Sequence, residues 1–325
     1  MRPYQSTLKA SIVHAYARHL LLQTLELTDY RPAIPLRLVA SVLILAACWQ
    51  TSLTGACALL RDKPCHRHVR AALNACLPPR PRDLLSRLLH ALRQSLPEDL
   101  FWRPTPMAID LHQRPYYGKK NTKGCTRRQK KAGTRRSFTY ATLAVLDRGG
   151  RFTVGLLATR PSQRLTTVVG QLLQQAQEVG LEPAYLLLDK GFCSAEVVAL
   201  LQKRGVPFLV PVVRRGQRGQ GNTWLFEPAR PVGWYDYTWT TPVRRRDPTS
   251  GRRRRRRSLS VTVRACVARQ PGDGKPLVYA TWGLGKGWSV AQVVSSYRRR
   301  FGIEASYRQL GQCLARTRSR REDTT

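Results

Sequence analysis

The sequence predicts an α/β fold: a mixed sheet with flanking helices, a helical domain in front of it and a β-rich insertion late in the chain. Three observations predict it. Residues 1–100 repeat their apolar positions at three-and-four spacing and hold no strand signal. From residue 104 onward, strand-like runs in series give way to an alternation of helix, strand, helix, strand. Residues 223–282 then interrupt that alternation with short aromatic and alternating runs. The domains expected are a helical one at 1–100, an α/β core at 101–222 that resumes at 283–325 as a helix with a basic tail, and the insertion at 223–282. At 325 residues and 42% apolar composition the chain has the length for about two domains and a sizeable core.

Taken in order, LKASIVHAYARHLLLQTL, LRLVASVLILAACWQ, TGACALLRD, CHRHVRAALNACL and RDLLSRLLHALRQSL each carry an apolar helical face, punctuated by prolines. The short helices around TSLTGACALLRDKPCHRHVRAAL suit a helix-turn-helix with Arg67, His68 and Arg70 facing a groove, and suit an ordinary bundle with a basic outer face equally well. After PEDLFWRPTP the period changes to two. MAIDLH, SFTYATLAVL and RFTVGLLAT read as strands, the last two joined by DRGG, which makes Asp147 a turn residue. A helix at 163–179, the strand AYLLLD, the helix SAEVVALLQKRG and the strand PFLVPVV complete the alternation. TWLFEP, GWYDYTWTT, SLSVTVRACVAR and PLVYATWG form the insertion, and a helix at 289–318 returns to the core.

Lys and Arg number 56 against 19 Asp and Glu, a formal net charge of +37. Such an imbalance repels itself unless a polyanion neutralises it, so nucleic acid is the leading partner. It is concentrated at 119–136 (including Lys119 and Lys120), at 244–257 and from Arg298 to Arg321. No membrane partner is expected, because the longest apolar run, VASVLILAACW, is too short for a span. Without a targeting segment the chain is expected to be cytoplasmic and, given its charge, associated with DNA. The eight cysteines include no CxxC and suggest reduced, mostly buried thiols; Cys57, Cys65, His66, His68 and Cys76 do not match usual zinc spacings.

Three acids stand out. Asp110 sits inside the apolar strand MAIDLH, where a carboxylate is costly unless paired or bound to a cation. Asp189 ends the strand AYLLLD, at the carboxyl edge where open α/β sheets place ligands. Glu304 follows Tyr297 and Arg300 at steps of three and four, with Arg308 and Gly311 continuing the same helical face. Converging carboxylates suit Mg²⁺, and two such ions about 3.5–4 Å apart activate a nucleophile and stabilise a leaving oxygen in phosphodiester chemistry. Read one at a time, the aspartates are equally strand-end caps and Glu304 a partner of Arg300 and Arg308.

Together, Asp110, Asp189 in LLLDKGF and Glu304 in YRRRFGIE resemble the DDE transposases of bacterial and archaeal insertion sequences, over about residues 104–318. The Tyr-x2-Arg-x3-Glu signature of one subgroup is matched by Tyr297, Arg300 and Glu304, and the β-rich insertion resembles the same subgroup. The resemblance implies a ribonuclease H-like core and metal-dependent DNA cleavage and strand transfer. It implies that Asp110, Asp189 and Glu304 hold Mg²⁺ or Mn²⁺, two ions, and that Tyr297 and Arg300 position the DNA backbone. Lys190 would add positive potential beside that site, Arg308 a further phosphate contact, and Lys119 and Lys120 a hold on the backbone. The partners implied are the element ends and target DNA, recognised in part by residues 1–100, with a dimer or higher assembly on paired ends. Trp234 and Trp239 suit either stacking on a flipped base or packing within the insertion. The chain departs from the signature at Gly311, where a lysine is common, and ends soon afterwards in ARTRSRREDTT. Two other readings therefore stay open: a truncated, inactive remnant that binds DNA, and a structure-specific nuclease of the same fold.

Overall fold

The computed structural model describes residues 9–27, 32, 34–78, 80–94, 96–118, 122, 124–131, 133–147, 150–217, 221–246, 253–285, 287–303 and 307. In chain order the elements are α1 (Ala10–Leu25), α2 (Leu36–Cys48), α3 (Leu53–Leu59), α4 (His66–Cys76), α5 (Pro81–Gln94), β1 (Thr105–Pro115), β2 (Thr126–Lys131), β3 (Thr134–Asp147) and β4 (Gly150–Thr159). There follow α6 (Leu165–Val179), β5 (Pro183–Leu188), α7 (Ala195–Lys203), β6 (Phe208–Pro211), β7 (Gly233–Arg246), β8 (Arg253–Arg269), β9 (Pro276–Trp282) and α8 (Val290–Arg298). They group into two compact units, one of Met1–Leu96, Arg114–Phe138 and Ala305–Thr325, the other of Pro97–Gln113 and Thr139–Glu304.

The first unit is built on the five helices. Val42 and Ala46 of α2, Ala56 and Cys57 of α3 and Val69 of α4 form one buried cluster. α4 turns Val69, Ala72 and Cys76 inward at steps of three and four, which leaves Arg67, His68 and Arg70 exposed. The chain leaves α1 through Glu26 in the left-handed region, and Arg87 of α5 donates to the Leu25 and Glu26 carbonyls at 2.5 and 3.1 Å. A cation on the last carbonyls of α1 satisfies acceptors that have no partner inside the helix. In the same unit β2 pairs antiparallel with the start of β3, around Gly133 at φ +81°.

The second unit holds the sheet in the order β4-β3-β1-β5-β6-β9-β8-β7. β1, β5 and β6 run parallel, whereas β3–β4 and the pairs from β6 out to β7 are antiparallel. The residues read as an insertion therefore extend the same sheet in its own plane, β9 pairing with β6 from Phe208↔Trp282 to Pro211↔Tyr279. The parallel strands are near-continuous apolar runs, with Met107–Ile109 and Leu186–Leu188 all buried, as strands covered on both faces require. α6 packs on β4 through Val168, Val169, Leu172, Leu173 and Ala176. Its Gln175 accepts from the Leu156 N–H at 3.0 Å and donates to the Leu156 carbonyl at 3.1 Å, just beyond the register shift in the β3–β4 pair. Among the described residues no single helix is long and apolar enough to cross a membrane.

Candidate active site

The β1–β5 register brings two acids level. After Thr105↔Pro183 one residue, Ala184, is skipped, and the pairs then run Pro106↔Tyr185 to Ile109↔Leu188. The next residue on each strand is an aspartate, Asp110 on β1 and Asp189 at the end of β5. Both carboxylates meet one guanidinium: Arg300 donates Nη1 to Asp110 Oδ1 and Nη2 to Asp189 Oδ1, each at 3.1 Å. Its Nε donates to the Tyr297 hydroxyl at 3.2 Å.

Arg300 reaches this position at a two-residue turn that interrupts the helix after α8. A capping box of Ser289 and Gln292 starts the helix. From Arg299 on, the backbone bonds become i to i−3: Arg299 to Ser296, Arg300 to Tyr297, Gly302 to Arg299 and Ile303 to Arg300. The tighter turn brings residues three apart nearly into line, which sets Arg300 beside Tyr297. After the nine-residue α8 and a turn at Arg299 and Arg300 the chain is helical again at 301–303, and the rest of the helix expected over 289–318 lies, apart from Tyr307, outside the described residues. Of the arginines at 298, 299 and 300, the third is buried and the first two are exposed. At Gly302 a Cβ would run into the Arg151 guanidinium, so any other residue there would require that flexible side chain to move. Arg151 and Arg299 also line an open hollow of about 430 Å³ with Arg103 and Asp147, the latter two ion-paired at 3.2 Å.

The electrostatics follow from burial. Asp110 is removed from water far more than Asp189, and desolvation raises its pKa above the usual carboxylate value even though Arg300 and the Leu111 N–H pull it down. Arg300 is itself buried, but the Tyr297, Asp189 and Asp110 oxygens hold it charged. Tyr297, packed on Tyr279 with ring centroids 5.1 Å apart, has its hydroxyl pushed up to about 12, mainly by burial. Two carboxylates sharing one guanidinium leave one surplus negative charge in a partly buried place. Hard oxygen donors with surplus negative charge fit a divalent cation such as Mg²⁺. Among the described residues no group of three or more His, Cys, Asp or Glu is placed to hold a metal.

Of the other residues singled out in the sequence, Lys190 is exposed in the 3-10 turn that follows Asp189. Glu304, Arg308, Gly311, Lys119 and Lys120 lie outside the described residues. A Cβ on Gly191 would only touch Asp189 Oδ2 at 3.8 Å, so the turn does not require a glycine there. Trp234 and Trp239 lie under arginines, Arg264 at 4.4 Å and Arg215 at 4.9 Å from the ring centres. The Arg300 bridge was missed from sequence; its only signal is the spacing from Tyr297.

A family model for the transposase DDE domain matches residues 108–325. No curated protein matches the chain. A cryo-EM structure of the piggyBac transposase synaptic complex with hairpin DNA is similar to it, with a TM-score of 0.52 at 11% identity over 99% of this chain and 65% of that one. This chain spans just under two thirds of that chain's length, and the likeness is one of fold: the mixed sheet with flanking helices is that of a ribonuclease H-like transposase core.

Proposed function

The chain belongs to the family of transposase DDE domains, and from that membership we propose that it cuts DNA at the ends of an insertion sequence and joins the freed ends to a target. The observation that carries the reading is the pair of carboxylates, Asp110 and Asp189, level on adjacent parallel strands and short of one positive charge. Transposases of this family use divalent metal ions. Here Asp110 and Asp189, with Glu304 as third ligand, would hold Mg²⁺ or Mn²⁺, two ions when fully loaded. Bound there, the cations would lower the pKa of an attacking water or 3′ hydroxyl and offset charge on the leaving oxygen.

The chain's own groups do the rest. Arg300 is a preorganised cation between the acids, and its fork geometry suits a phosphate as well as a carboxylate. Tyr297 fixes the Nε side of that fork, which leaves the two Nη groups to face the reacting centre. This division of labour supports assignment to the subgroup with the Tyr-x2-Arg-x3-Glu signature. Lys190, exposed beside Asp189, together with Arg308, Lys119 and Lys120, would contact the DNA backbone. The helical residues 1–100, with Arg67, His68 and Arg70 outermost on α4, would recognise the element ends. The similar piggyBac transposase was captured as a synaptic complex with hairpin DNA, which supports DNA as partner and a dimer or higher assembly on paired ends.

The test is cleavage of a labelled duplex carrying the element's own ends, with Mg²⁺ or Mn²⁺, by the parent and by Asp189→Ala. Metal-dependent cutting that the variant loses, followed by joining of the 3′ end to a second duplex, is the expected result. Cutting without joining would make the protein a nuclease, and binding without cutting by either protein would make it an inactive remnant.

A further inference from the structure

The hollow beside the turn that follows α8 has no part in the catalytic reading, yet three arginines from three separate segments of the second unit line it. Arg103 comes from the approach to β1, Arg151 from the start of β4 and Arg299 from the turn after α8. Their placement is set locally. Asp147 at the end of β3, its side chain 18% exposed, accepts from Arg103 Nη2 at 3.2 Å and fixes that guanidinium. Arg151 stands opposite Leu146 in the β3–β4 register, so the two share a face of the hairpin. Gly302 has no side chain to exclude the Arg151 guanidinium, which therefore lies against the turn that carries Arg299. Among the described residues, neither aspartate of the catalytic pair nor Arg300 lines the hollow.

Three guanidiniums meet one carboxylate here, which leaves two positive charges uncompensated. Arg151 and Arg299 have no ion-pair partner among the described residues, and Arg103 spends one of its five N–H donors on Asp147. Like charges brought to one place repel unless an anion joins them. A lone arginine on a chain of net charge +37 is ordinary surface. Three that converge on a concave place are not, and this one also has an apolar wall of Pro106 and the buried Leu146. At about 430 Å³ the hollow has the room of a small-molecule site, more than a phosphate group alone would fill.

We propose that this hollow is a nucleotide site, with a phosphomonoester dianion between Arg103, Arg151 and Arg299 and the attached nucleoside against Pro106 and Leu146. The charge selects the ester. A phosphomonoester carries about −1.5 to −2 at pH 7, which matches the two surplus cations, whereas a phosphodiester carries one negative charge. Arginine's fork suits phosphate oxygens, and a monoester presents three terminal oxygens to three guanidiniums where a diester presents two. A free mononucleotide and the 5′-phosphorylated end of a DNA strand share this chemistry. The site shares no residue with the carboxylate pair and needs no metal, so it goes beyond the transposase reading and does not depend on it.

The experiment titrates the whole chain with dAMP in a calorimeter, in EDTA and at about 150 mM salt, where attraction between exposed charges is largely screened. Deoxyadenosine, inorganic phosphate and the dinucleoside monophosphate d(ApA) are run beside it. The parent is compared with Arg151→Gln plus Arg299→Gln, and with Arg160→Gln plus Arg164→Gln, which removes the same charge from two exposed arginines elsewhere in the unit. Expected are one dAMP per chain, affinity at least about tenfold weaker in the first variant, and little change in the second. Deoxyadenosine should not bind, and phosphate and d(ApA) should bind more weakly than dAMP. Equal losses in the two variants, many weak sites, or d(ApA) or phosphate binding as tightly as dAMP overturns the site. Competition then names the source: a duplex that displaces dAMP only when its 5′ ends are phosphorylated assigns the hollow to a DNA end, and equal displacement by 5′-hydroxyl duplex assigns it to a free nucleotide. Cutting is assayed separately with Mg²⁺; a parent that cuts but binds no dAMP sinks the nucleotide site alone, and one that binds dAMP but never cuts sinks the transposase reading alone.

Discussion

Replacing Arg300 by alanine isolates the central electrostatic claim. The side chain is 6% exposed and bridges Asp110 and Asp189 at 3.1 Å each while donating to Tyr297. Removing one partner from a buried ion pair costs about 3–5 kcal/mol, because the charge left behind has no compensation. Asp189 is 37% exposed on its side chain, so water screens its half of the bridge and the lower end applies. The expected loss is about 3 kcal/mol, or roughly 6–12 °C in the unfolding midpoint of a unit of this size. Divalent cation should then recover stability in the variant more than in the parent, since the carboxylates no longer share a guanidinium. At about ten times its Kd a bound ion contributes about 1.4 kcal/mol. Thermal unfolding of both proteins with and without Mg²⁺ reads all of this without any DNA. A loss under about 1 kcal/mol, or an equal Mg²⁺ shift in both proteins, would refute the idea that Arg300 neutralises a cation site.

Three further outcomes are expected. Asp110→Asn should stabilise the metal-free protein by about 1 kcal/mol in denaturant unfolding, because one guanidinium then faces one carboxylate, while cleavage is lost. The pKa of Asp110 is raised in the folded state, so the folded protein holds that proton where the unfolded chain has released it. Stability should therefore fall as pH rises from about 4 through the raised value, and Asp110→Asn should flatten that part of the profile. Gln175→Ala removes both bonds to the Leu156 backbone and should cost about 1–2 kcal/mol, with faster hydrogen exchange at the Leu156 amide. Ser289→Ala opens the capping box of α8 and should cost about 1 kcal/mol in urea unfolding; no change would mean that tertiary packing alone holds the helix.

Much of the architecture was legible because it rests on periodicity. The five N-terminal helices, the strand MAIDLH, the helix α6 and the strand-turn-helix around Asp189 all stand where apolar spacing and turn residues put them. What was not legible depends on partners distant in sequence. Nothing local says that β9 will bond to β6, so strands that read as a separate insertion join the main sheet. Helical spacing in YRRRFGIE puts Arg300 on the buried face of Val293 and Tyr297, but nothing in that run says that its guanidinium will meet Asp110 and Asp189 on strands distant in sequence. The tryptophans of the insertion offered stacking or packing, and the arginines that cover them come from residues 215 and 264, too far along the chain for sequence pattern to pair.

The alignment of the two aspartates shows most directly where sequence reasoning stops. Met107, Ala108 and Ile109 on one strand and Leu186, Leu187 and Leu188 on the other are all buried, so neither run alternates and neither carries a register of its own. Were the pairing to continue from Thr105↔Pro183 without the skip at Ala184, Asp110 would stand opposite Leu188 and Asp189 opposite Leu111. Successive positions on a strand point to opposite faces, so that one-residue slip would send the two carboxylates to opposite sides of the sheet. Arg300 could then reach only one of them. The bulge is therefore what converts two buried-strand acids, each readable as an ordinary cap, into a pair that shares one cation and is short of another.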